Sequence, residues 1–78
     1  MNALELEQAA AVVRASQHPA AAEIADLLDH AAFMLHNREN IWTRCEYPPT
    51  VQKNLTRHHF GNEIAIAQAL TTGAHLGP

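Results

Sequence analysis

Residues 19–45 read PAAAEIADLLDHAAFMLHNRENIWTRC, and their spacing decides the fold. Ile24, Leu28, Ala31, Leu35, Trp42 and Cys45 recur at steps of four, three, four, seven and three, the a/d pattern of a helix packed lengthwise on its partners. Pro19 stands where a proline can open a helix without losing a needed N–H, and Glu23 falls in the first turn. No breaker follows until Pro48 and Pro49. At about 1.5 Å per residue such a helix spans about 40 Å, so the rest of the chain must pack on it.

The remainder of the 78 residues is alanine-rich: fifteen Ala against eight Leu, four Ile and three Val. Alanine favours helix and lets helix axes approach closely, which argues for tight helical packing over a sheet core. Asn2 and Glu5 have capping-box spacing and open a helix with Leu6, Ala9, Ala10 and Val13 on its apolar stripe. Ser16-Gln17-His18-Pro19 breaks it, because a residue preceding proline is pushed out of the α region. After Pro48-Pro49, Thr50 is placed to cap a third helix. Val51, Leu55 and His58 or Asn62 form its first stripe, and Ile64, Ile66, Ala67 and Leu70 follow in another register. A kink, or preferably a restart into a fourth short helix over about 63–72, is therefore expected at Gly61-Asn62, with the element ending at Thr72-Gly73 and Ala74 to Pro78 fraying. The sequence predicts an all-α fold in one domain, 1–78. It is a small bundle of three to four helices, with a long central helix at about 19–45 packed against a helix at about 3–16 and a kinked C-terminal helix at about 50–72.

No apolar run approaches the roughly 20 residues that span a bilayer, and the N-terminus has no signal-peptide pattern. The single cysteine, Cys45, has no internal disulfide partner and falls on the apolar stripe, where it is expected to be buried. A cytoplasmic protein without contact to membranes is expected. Charge is polarised along the chain. Residues 1–35 set Arg14 against Glu5, Glu7, Glu23, Asp26 and Asp29, and residues 36–59 set Arg38, Arg44, Lys53 and Arg57 against Glu39 and Glu46, within a net charge of −3. The corner before helix two invites a helix-turn-helix comparison, but residues 19–26 hold no Arg or Lys to meet phosphates.

No constellation names a reaction. Cys45 lacks a histidine base and an oxyanion hole, and Asp26 and Asp29 lack a buried setting that would separate their pKa values, so no enzyme is expected. Of the histidines, an antiparallel hairpin could bring together only His36, His59 and Glu63. No metal site and no cofactor are therefore expected.

Two surfaces carry the functional reading. Phe33 lies opposite the apolar stripe among Asp26, Asp29, Asn37 and Asn40, where a helix ordinarily places polar groups, so these five residues are the expected partner-binding face. The expectation is a small non-catalytic protein–protein interaction module, an inhibitor, adaptor or regulator of a larger protein. Small inhibitors carried by phages and mobile elements fit that description. A homodimer is expected as well, because self-association would cover the apolar surface left by a thin core and an outward Phe33. The alternative is a module binding an anionic ligand, nucleotide or nucleic acid, at the hairpin tip, where Arg38, Arg44, Tyr47, Lys53 and Arg57 interleave basic groups with aromatic ones.

Overall fold

A computed structural model describes residues 1–76, with side chains through Thr71. Among the described residues there are three helices and no strand: α1, Ala3–Arg14; α2, Ala21–Arg44; and α3, Pro49–Leu76. The particle measures 43 × 22 × 15 Å. No helix is long and apolar enough to cross a membrane.

The expected capping box at the start of α1 is present. Asn2 Oδ1 accepts the Glu5 N–H at 2.9 Å and Glu5 Oε1 accepts the Asn2 N–H at 3.0 Å, which satisfies two of the N–H groups that a helix start leaves without partners. A third, from Ala3, reaches Glu39 Oε2 at 3.3 Å. This bond ties the start of α1 to the C-terminal half of α2, so the two helices run antiparallel.

The α1–α2 pair is the core, with α3 laid across both. Leu6, Ala10 and Val13 of α1 and Ala21, Ala25, Leu28, Ala32, Leu35 and Trp42 of α2 are buried in one cluster. The buried row of α2 thus runs 21, 25, 28, 31, 32, 35 and 42, which the predicted stripe met at Leu28, Ala31, Leu35 and Trp42. Ile24 sits at its edge, half-buried, and Ala31 is buried. Cys45 corrects the sequence reading, for it is exposed. The 12-residue α1 covers α2 only to about Glu39, whereas α2 runs on to Arg44. Beyond the start of α1, Trp42 is still buried but Cys45 is exposed.

The helix ends also shift from their expected places. Pro19 and Ala20 form a turn, and α2 starts at Ala21 instead of Pro19. Ala20 makes no side-chain cap, and its own N–H donates to His18 Nδ1 at 3.0 Å. Pro49 takes the first position of α3, so Thr50 lies inside the helix and does not cap it. Within α3, Thr56, Phe60 and Ala67 are buried while Val51, His58 and Asn62 are exposed, which moves the inward stripe of the first half by one position from the expected one. The expected kink exists, one residue early: Phe60 has φ −126° and ψ 18°, and both limbs are helical. Helix continues past Thr72-Gly73 to Leu76; the expected fraying of Gly77 and Pro78 lies outside the described residues.

Two backbone positions lead to opposite substitutions. At the end of α2, Tyr47 N–H donates to the Trp42 carbonyl and Glu46 N–H to the Thr43 carbonyl, both at 3.0 Å. This is the Schellman arrangement, with Glu46 at φ 60° where glycine is favoured. Glu46→Gly should therefore raise stability by about 1 kcal/mol. Gly61, by contrast, has no positive φ and no atom within 4 Å of an added Cβ. Gly61→Ala should stabilise by about 0.5–1 kcal/mol. Thermal melts of the two variants check both; a destabilised Gly61→Ala would mean that the kink requires glycine.

Candidate functional site

A groove of about 510 Å³ opens between α1 and α2. Its apolar floor is Ala3, Ala32, Leu4 and Phe33, and its rim carries Glu7, Asp29 and His36. Leu4 is 60% exposed and Phe33 63%, the highest values among the exposed large apolar side chains. Each stands off the buried stripe of its own helix, and the antiparallel pairing brings them to one opening.

The sequence singled out Asp26, Asp29, Phe33, Asn37 and Asn40; of these only Asp29 and Phe33 line the groove. Asp26 and Asp29 are held by one fork. Arg14 Nη2 donates to Asp26 at 2.8 Å and Nη1 to Asp29 at 2.9 Å. These bonds, Asp29 first and then Asp26, raise the Arg14 pKa above its already high ordinary value. The contribution of the Arg14 shift to folding is complete at neutral pH and is lost as pH rises past the arginine range. All three groups are solvent-exposed enough for salt to screen them. Their principal effect is to pin the groove end nearest the α1–α2 corner. Asn37 is exposed away from the groove, and Asn40 Nδ2 lies 3.4 Å from His36 Nε2, steadying the ring at the rim. Leu4, Glu7 and His36 escaped the sequence reading. Leu4 carried the same signal as Phe33, an apolar residue two positions off the buried stripe, and it gained meaning only once α1 and α2 were seen side by side.

Of the five residues expected at the hairpin tip, Lys53 and Arg57 line a groove and Arg38, Arg44 and Tyr47 do not. Lys53 and Arg57 line a second groove, about 670 Å³, between the start of α1 and α3, where they share the walls with Glu5 and Glu39. Arg38, Arg44 and Tyr47 are exposed elsewhere, and Arg44 Nε turns back to the Asn40 carbonyl at 3.5 Å. His58 and His59 stack edge to face at 5.0 Å on the surface. Among the described residues no three His, Cys, Asp or Glu side chains converge as metal donors. The chemistry within reach of the first groove is apolar contact, with hydrogen bonding from its rim.

No protein family, curated protein or solved structure matches the chain.

Proposed function

We propose that the protein is a small, non-catalytic interaction module of the cytoplasm, acting as an inhibitor, adaptor or regulator of a larger protein through the Leu4–Phe33 groove. The observation that carries this reading is the exposure of two large apolar side chains across one opening. A buried aromatic anchor ringed by polar groups is the usual centre of a protein interface. Glu7 and Asp29 at the rim favour a partner segment that presents an apolar knob beside a basic residue. The anionic-ligand alternative has less support, because Lys53 and Arg57 share the lining of their groove with Glu5 and Glu39 while Arg38, Arg44 and Tyr47 do not line it.

The test is affinity capture from the native cell, read by mass spectrometry, with the unchanged chain, Phe33→Asp, and the double variant Arg44→Glu/Arg57→Glu. A stoichiometric protein retained by the first and third and lost with Phe33→Asp is the expected result. Retention by Phe33→Asp with loss in the double variant would transfer the function to the basic residues.

A further inference from the structure

On α2, Leu27, Met34 and Ile41 are 44%, 38% and 44% exposed, and they recur every seven residues. They therefore form one straight apolar row about 21 Å long, a quarter-turn from the buried seam and on the side of α2 away from Phe33. Beside it runs a second exposed row at the same period: Glu23, His30, Asn37 and Arg44. Each of these lies three or four positions from a member of the apolar row, and so adjoins it on the helix surface. The polar row carries a negative charge at one end and a positive charge at the other.

That pattern is complementary to its own reverse. When a second copy of α2 is laid antiparallel with Met34 on a two-fold axis, Leu27 of each copy faces Ile41 of the other. The flanking rows then fall on the same side of the pair, and Glu23 comes within one residue of the level of Arg44. His30 and Asn37 meet in the same way, as hydrogen-bonding groups. A parallel pair would set Glu23 level with Glu23 and Arg44 level with Arg44. Asp26 and Asp29, already bound to Arg14, take no part. We propose that the chain self-associates as a two-fold, antiparallel α2–α2 dimer through Leu27, Met34 and Ile41, with Glu23 and Arg44 of opposite copies setting the orientation. This surface is separate from the Leu4–Phe33 groove, so the dimer stands or falls independently of the proposed function.

The test is cysteine cross-linking of the full chain on a Cys45→Ser background, with sedimentation or light scattering to give the mass. Met34→Cys should form a disulfide-linked dimer on mild oxidation, because residues on the axis come within disulfide range. Leu27→Cys alone should not, whereas Leu27→Cys mixed with Ile41→Cys should yield the crossed product. Met34→Asp, at an exposed position that leaves the fold intact, should weaken the dimer at least tenfold. Glu23→Arg should weaken it severalfold at low salt, and Glu23→Arg/Arg44→Glu should restore it, a rescue that a merely structural role would not give. Phe33→Asp should leave it unchanged. An 8.6 kDa species at high micromolar concentration overturns the proposal. Self-cross-linking of Leu27→Cys as fast as that of Met34→Cys, or loss of the dimer in Phe33→Asp, also overturns it.

Discussion

Leu28→Ala should lower the melting temperature by at least about 10 °C. Leu28 is fully buried, and among the described residues Leu6 and Leu35 are the only other large side chains so completely enclosed. Their neighbours are mostly alanines, which have no further rotamers with which to fill a cavity. Truncation of a buried leucine costs about 2–5 kcal/mol, with the higher values where the surroundings cannot collapse. A domain of this size has a total stability of roughly 4–12 kcal/mol, and each kcal/mol shifts its midpoint by about 4–8 °C. The opposite change, Ala25→Leu, should also destabilise, by about 1–3 kcal/mol, because Ala25 is fully buried at the close approach of the two axes. Circular dichroism melts decide both. A Leu28→Ala midpoint within a few degrees of the parent would mean that the α1–α2 layer is not close-packed.

Phe33→Asp should reduce affinity for the captured partner by at least about thirtyfold, the loss of about 2 kcal/mol typical of an interface hot spot. Its effect on folding should stay within about 0.5 kcal/mol, since Phe33 is 63% exposed. Two costs combine in the complex: the apolar contact is lost, and a carboxylate is pressed against a site already rimmed by Glu7 and Asp29. Leu4→Ala should weaken the same partner by a smaller factor, because it removes apolar area without adding charge. Isothermal titration with the purified partner measures both.

Much of the architecture was legible because it is written in short-range chemistry. Asn2 and Glu5 announced their capping box, Pro48-Pro49 the second corner, and the pattern from Ile24 to Trp42 a long central helix. The misreadings arose where tertiary context overrides spacing. Cys45 lies on the periodic stripe, yet the start of α1 reaches α2 only at about Glu39 and leaves Cys45 exposed. Val51 and His58 are periodic as well, but the direction from which α3 crosses turns Thr56 and Phe60 inward instead. The candidate site was half legible: Phe33 stood out as an apolar residue on a polar face, whereas Leu4 and Glu7 join it only through the antiparallel pairing of two segments about thirty residues apart. Asp26 and Asp29 looked like free recognition groups because no local pattern connects them to Arg14 across the corner.

The most direct measurement of the central claim is hydrogen exchange of the chain alone and in complex with its captured partner. The account predicts new protection in residues 3–7 and 29–36, which wall the Leu4–Phe33 groove, with residues 52–57 of α3 unchanged. Protection confined to 52–57, with the groove exchanging as in the free chain, would contradict it.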